Sequence, residues 1–425
     1  MPQLNKLRTV LPGGRDGNTA APSSARLRIA LTVFFALDGF VFAGWVVRIP
    51  AVKHQTGASA STLGLALLGV SAGAVVTMML TGRLCRRFGS PAVTVVCAVL
   101  LSLSISLPAQ THSALALGLV LLLFGVAYGG TNVAMNSLAV DLVAALRRPV
   151  MPSFHAAFSF GGMAGAGLGG LVAGSLSPAT HLSLLAGTAL LVTALTAPAL
   201  LHNRHAAEPP AQKYVPASAP GPASASASTS ASASAPRIGG GARRTVILFG
   251  VIALCTAYGE GALAEWGALH LTQDLHAGPG PAAAGYSLFA LTMAIGRLSG
   301  TTLLERLGQT RTLVAGGATA AVGMLFGALA PTVWLALAGF ALAGLGLANI
   351  FPVAVGRAGA LTGPSGVAAA STLGYGGMLV GPPVIGFLAD WLSLPVALTT
   401  VTLLAAVAAV LGYAARGATQ PPAAE

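Results

Sequence analysis

Charge is what this sequence has least of. Of 425 residues only 8% are Asp, Glu, Lys or Arg, and only 10 residues are acids. A soluble domain carries about a quarter charged residues, so most of this surface must face something other than water. Lipid fits, because a charge at the centre of a membrane helix costs roughly 2.5–3.5 kcal/mol on insertion scales. Cysteine is scarce too. Cys85, Cys97 and Cys255 have neither disulfide nor metal-ligand spacing and read as small packing residues. No Ser/His/Asp set, phosphate loop or metal-spaced cluster survives placement on apolar segments, so no enzyme, cofactor or metal site is expected. The net charge of +12 does not point to nucleic acid, because the basic residues do not gather among aromatics on one face.

What is abundant is hydrophobic sequence, 55% of the chain. A helix needs about 20 apolar residues to cross a bilayer. Runs at 27–50, 62–82, 91–110, 113–140, 153–175 and 181–201 predict six spans. Six more follow at 245–269, 283–304, 311–330, 332–355, 366–389 and 395–414. The first run is too long for a signal-peptide core and carries Asp38, so it is read as a retained helix. Apart from Arg48, Lys53 and Arg297, every basic residue then falls in a tail or loop on one side. By the positive-inside rule that side is the cytoplasm, and both termini lie there.

The expected organisation is a disordered tail (1–25), an N-terminal six-helix bundle (26–201), a flexible linker (202–244), a C-terminal six-helix bundle (245–415) and a short tail (416–425). The linker holds Ala-Ser repeats between Pro216 and Pro236 and has too little apolar side chain to form a core. The bundles repeat one another. Phe160-Gly-Gly-Met163 returns as Tyr375-Gly-Gly-Met378, Gly44-Trp45 as Glu265-Trp266, and the Gly129–Asn132 pattern as Gly346–Asn349. The offsets drift slowly and keep their order, which a duplication produces. Two like-oriented bundles around a central cavity are a design of secondary transporters.

These features resemble the major facilitator superfamily. Gly82-Arg-Leu-Cys-Arg-Arg-Phe-Gly89 is similar to that family's Gly-x-Leu-Ala-Asp-Arg-x-Gly loop, with Arg86 where the family has its acid. The second half keeps an acid, Glu305 in Leu304-Glu-Arg-Leu-Gly308. The resemblance gives that acid a part in locking the cytoplasmic side, which makes Glu305 a gating candidate. Trp45-Val-Val-Arg-Ile-Pro50, Asn132-Val-Ala-Met-Asn136 and Ser153-Phe-His-Ala-Ala-Phe-Ser-Phe-Gly-Gly162 resemble the branch containing the MosC and YbjJ membrane proteins, more distantly related to fucose permeases. It implies a sugar- or cyclitol-like solute.

Polar residues inside the spans supply the site candidates. Asp38 lies about ten residues into the first span, hence roughly 15 Å deep. An intramembrane acid is functional by default and must face protein or water, which makes it a proton-coupling candidate. Trp45, seven positions on, shares its face and is read as a substrate platform, with Trp266 its repeat. Glu260 is the central acid of the second half; Glu265 stands nearer the outer end and is expected to snorkel or meet Arg48 across the cavity. Tyr128, Asn132 and Asn136 form an i, i+4, i+8 stripe whose phenol and amides suit hydroxyl recognition, and Asn349 and Tyr375 stand in the repeat. His155 could shuttle protons or gate the inner side. For each of these the competing reading is helix packing. Arg297 needs a partner and is read as pairing with groups on the cytoplasmic side.

Small-residue stripes mark close helix contacts. Gly161, Gly165 and Gly169 form one, and Gly69/Gly73, Gly296/Gly300 and Gly377/Gly381 form others. In the resembled fold their four helices make the seam between halves. Gly165-x-Gly-x-x-Gly170 matches a dinucleotide fingerprint but lacks the required strand, so that reading is rejected.

The sequence therefore predicts an all-α integral membrane protein with twelve transmembrane helices in two pseudo-symmetric bundles. It is expected to act as a monomer in the plasma (cell inner) membrane, moving a small polar solute by alternating access with protons. A drug/proton antiporter is the alternative, since Gly161 to Gly170 also resembles that family's motif. A non-transporting sensor is the third reading.

Overall fold

The computed structural model describes residues 20–146, 150–202 and 240–418. The termini, Arg147, Arg148 and nearly all of the expected linker lie outside the described residues. Among those described, all regular structure is helical: α1 (Ala20–Val46), α2 (Ile49–Thr56), α3 (Ala60–Phe88), α4 (Ser90–Ser104), α5 (Ala114–Leu146), α6 (Met151–Val172) and α7 (Pro178–Leu201), then α8 (Gly240–Gln273), α9 (Pro279–Leu298), α10 (Gly300–Leu329), α11 (Val333–Leu347), α12 (Ile350–Thr362), α13 (Pro364–Trp391) and α14 (Leu394–Ala414). Ten segments are long and apolar enough to cross a membrane, α11 and α12 counting as one. The glycine-rich α6 and α9, which carry His155 and Arg297, are not among them.

Local chemistry explains the breaks. Gly89 separates α3 from α4 with φ +83°, and Gly308 breaks α10 internally with φ +75°. Both are the last glycine of the two related loops, and both adopt a backbone that side-chain-bearing residues avoid. The break in α10 makes its first turns a continuation of α9, so the expected boundary between runs at 283–304 and 311–330 falls where the backbone turns. Asn349 separates α11 from α12, inside the run expected at 332–355. Helix starts are capped by Ser59, Ser177, Thr332 and Ser393, whose hydroxyls accept from the backbone N–H three residues on.

The outward faces are apolar. Leu115, Leu171, Leu195 and Val410 are exposed, and Trp334 and Trp391 stand exposed at helix ends, as aromatic side chains do at a membrane–water interface. Packing inside the bundle repeats. α1 lies against α6 and α7 as α8 lies against α13 and α14, and α3 against α5 as α9 against α11. Between the two sets, α3 packs on α13 and α6 on α9.

Most of the glycine stripes expected along that seam do something else. Gly161 and Gly165 meet the backbone of Ala36 and Phe40 on α1, Gly69 and Gly73 that of α5, and Gly377 that of Leu254 on α8. These contacts hold each set together. The close approaches across the seam fall on Gly64 against Pro382, Gly386 against Ala60, and Gly170 against Ala283.

All three lie toward one end of the bundle. It is here called the far end, opposite the tether end where α7 stops and α8 starts. Hydrogen bonds across the seam fall at mid-bundle, where Ser71 Oγ donates to Met378 O and Ser287 Oγ to Met163 O, both at 3.3 Å, or at the far end. There the Asp390 carboxylate, at the end of α13, accepts from the N–H groups of Ala60 (2.9 Å) and Ser61 (2.8 Å) at the start of α3. A carboxylate is well placed at a helix N-terminus, where N–H groups are unsatisfied and the helix dipole is positive.

Candidate functional site

A cavity of about 250 Å³ lies between the two sets of helices, running from mid-bundle toward the tether end. α1 gives it Phe35 and Phe42, α3 gives Ser71 and Met78, α5 gives Tyr128 and Asn132, and α6 gives His155 and Ser159. From the other set come Glu260 and Glu265 on α8, Tyr286, Phe289, Met293 and Arg297 on α9, and Tyr375 and Met378 on α13. Every wall except that of α1 therefore carries some polar group, on an otherwise largely apolar surface.

The expected residues divide. Tyr128, Asn132, His155, Glu260, Glu265 and Tyr375 line the cavity. Tyr128 is held by stacking on Phe42 (5.4 Å between centroids) and Phe124 (6.2 Å), which leaves its ring as a fixed wall. His155 is exposed, with Phe35 edge-on at 5.5 Å. Asn136 donates to the backbone oxygen (2.8 Å) and side-chain oxygen (3.2 Å) of Asn132, one turn back, and stays off the cavity. It orients Asn132 instead.

Others go elsewhere for visible reasons. Trp45 (1% exposed) and Trp266 (0%) are sealed in the apolar core and do not reach the cavity, so in this conformation neither is a substrate platform. Asn349 donates to the Gly296 carbonyl (2.8 Å), tying the break between α11 and α12 to α9. Arg48 does not meet Glu265. Its Nε donates to His181 Nδ1 at 2.7 Å, and its guanidinium reaches the carbonyls of Ala173 and Val172 at the end of α6. Glu305 is exposed beside the Gly308 break and outside the cavity.

Three acids define the electrostatics. Glu260 pairs with Arg297, whose Nη2 lies 3.3 Å from one carboxylate oxygen and 3.5 Å from the other. Arg297 is thus a cavity residue, against the expectation that it pairs on the cytoplasmic side. One cation among several intramembrane acids was the available signal. Glu265 is 7% exposed and its Oε2 has no hydrogen-bond partner. Asp38 is 1% exposed, behind the cavity wall; Asn132 is its polar neighbour, yet neither carboxylate oxygen is hydrogen-bonded. Burying an ionised carboxylate without a partner is costly enough that such groups normally take up a proton or a cation. Tyr286, Met78, Met293 and Met378 were not anticipated, because nothing in an apolar run distinguishes a cavity-facing tyrosine or methionine from a packed one.

The profile of the Major Facilitator Superfamily matches residues 29–259 and again 249–425. An MFS-type transporter of Yersinia pestis is 31% identical over 381 residues, covering 89% of this chain and 92% of its own length. A transporter of Sinorhizobium fredii is 32% identical, covering 89% and 95%. The membrane protein MosC of Rhizobium meliloti is 30% identical, covering 86% and 84%. Among solved structures, the nucleoside transporter NupG shares the fold with a TM-score of 0.67 at 15% identity, over 93% of this chain and 99% of that one. A bacterial homolog of the human lysosomal transporter Spinster, inward-facing and unoccupied, has a TM-score of 0.72 at 13% identity, over 95% and 99%. With apolar spans, a cavity between repeated helix sets and relatives along nearly its full length, this multi-pass membrane protein belongs to the Major Facilitator Superfamily of transporters, in its MosC-like branch.

Proposed function

We propose that the chain is a twelve-span secondary transporter that moves a small polar organic solute by alternating access, coupled to protons. The observation that carries this is the mid-bundle cavity, closed at the far end and lined by an ion pair, phenols and the Asn132 amide. The division into bundles 26–201 and 245–415 follows the repeated packing. The basic residues assign the tether end to the cytoplasm, so the conformation is closed outside and accessible from inside. Tyr128, Asn132 and Tyr375 would hold hydroxyl or carbonyl groups of the solute. Asp38, sealed from water beside Asn132, would carry the proton, and its protonation state would reach the cavity through that amide. Protonation of Glu260 would release Arg297 to bind solute. His155, exposed at the inner approach, would serve as a gate.

Counterflow and uptake in proteoliposomes, with and without an imposed pH gradient, test this reading. Solute exchange accelerated by an inward proton gradient is the expected result; no exchange for any solute in a broad panel would sink it. The methionines on three walls, which adapt to varied apolar shapes, favour one second reading, the antiporter exporting amphipathic compounds. Uptake into inverted vesicles, with lumen acidification as the driving force, separates the two.

A further inference from the structure

The acids of the cavity are not equally partnered. Glu260 and Arg297 neutralise one another. Glu265, five residues along α8, is left with no counter-ion: no ion pair among the described residues includes it, and its Oε2 is buried without a hydrogen-bond partner. The arginine that the sequence put within its reach, Arg48, is committed to His181 and the end of α6. Buried polar side chains in folded proteins nearly always have a partner, and this one lies on a ligand cavity. The remaining walls offer aromatic faces, Phe42, Tyr128, Tyr286 and Phe289, which attract cations and do nothing for anions.

The geometry points to Glu265 as the binding site for a cationic group, so that the solute is a small organic ammonium compound. Its N⁺–H groups would donate to the Glu265 carboxylate while its hydroxyls meet Tyr128, Asn132 and Tyr375. This rests on the transport reading above but makes a separate claim about charge. A neutral solute leaves Glu265 unpaired; an anionic one would compete with Glu260 for Arg297 and face Glu265 as a like charge.

The test uses matched pairs that differ only by amine for hydroxyl, beginning with 2-amino-2-deoxyglucose against glucose. Tetraphenylphosphonium is added as a lipophilic cation. Binding is read from the ligand-induced rise in melting temperature of the purified full-length protein. In the unmodified protein, one or more amines should half-saturate at a concentration at least tenfold below the hydroxyl twin, and E265Q should erase that difference. A response to the phosphonium in place of the hydroxylated amines keeps the site cationic and assigns it to lipophilic ions. Equal affinity within every pair, no response to any compound, or a preference that survives E265Q overturns the proposal. Should E265Q not fold, carbodiimide labelling of Glu265 reads the same contact: protection by the amine and not by its twin supports it, and unchanged labelling overturns it. Counterflow of a neutral solute at equal rates in both proteins leaves transport standing and removes this claim alone.

Discussion

Asp38 and Glu260 lie on equivalent helices of the two halves but one position apart in register, seven residues before Trp45 and six before Trp266. Their surroundings differ. Asp38 is sealed behind the cavity wall with both oxygens unpaired, while Glu260 faces the cavity and holds Arg297. One position of register turns the two carboxylates about 100° apart around their helices, so only Glu260 reaches the cavity. Aligning Gly89 with Gly308, the position equivalent to Arg297 is Met78, which also lines the cavity. The second half thus carries a cation at the cavity where the first half carries a thioether. A lone buried acid can change charge only by moving a proton, whereas a paired one has a second partner to exchange with a ligand. The two halves thus offer an unpaired acid and a paired one on equivalent helices.

Asp38→Asn is the largest expected break in this comparison. Asparagine keeps the shape and cannot ionise, so uphill uptake should fall more than about a hundredfold, on the scale at which loss of a proton-transfer group acts. Counterflow, which needs no net proton movement, should persist. Retained uphill uptake with unchanged pH dependence would show that Asp38 only packs.

This asymmetry marks the limit of what the chain disclosed before its structure. Helix positions were legible because long apolar runs have few alternatives, ten of them being long and apolar enough to cross a membrane, and the two glycine-ended loops fell where the backbone turns. The faces were not. A membrane helix in a bundle has one side toward lipid and several toward protein, and periodicity cannot separate a side that meets a neighbour from one that meets a cavity. Thus Tyr128 and Asn132 reach the cavity while Asn136, on the same stripe, turns back onto its own helix. Trp45 shares a face with Asp38, and both are covered. The partner of Arg297 depended on how α8 and α9 are rotated against each other, which no local pattern encodes.

Next in size is the pair itself. Glu260→Gln should orphan Arg297 and destabilise the protein by about 1–3 kcal/mol, less than for a fully buried pair because both side chains are partly exposed. Adding Arg297→Met, which copies the arrangement of the first half, should recover most of that loss in a thermal or denaturant melt. Failure of the double substitution to recover would mean that the two side chains contribute independently and that the pairing is incidental.

Met78→Arg runs the comparison in reverse. It places a cation at the position equivalent to Arg297, on a side chain that already borders the cavity. Uphill uptake should drop roughly tenfold, equivalent to about 1.4 kcal/mol, with a flattened dependence on pH, because a paired carboxylate gives up its role as a free proton carrier. Unchanged pH dependence would place Asp38 out of reach of that position.

The smallest expected effect concerns the far end, where the halves differ again. Asp390 caps the start of α3; aligning Phe160 with Tyr375, its first-half counterpart is Ser175. The start of α9, which that counterpart would have to cap, reads Pro279-Gly280-Pro281 and has lost two of its N–H donors to proline. The closure therefore has a polar fastening on one side of the seam and bare contact, Gly170 against Ala283, on the other. Because Asp390 is exposed, an asparagine there should forfeit only about 0.3–1 kcal/mol of charge–dipole attraction, a shift of roughly two- to fivefold toward the outward-accessible state. Labelling of a cysteine placed at Ser61 by a membrane-impermeant reagent should speed up by that factor. An unchanged rate would mean that the glycine contacts alone hold the far end shut.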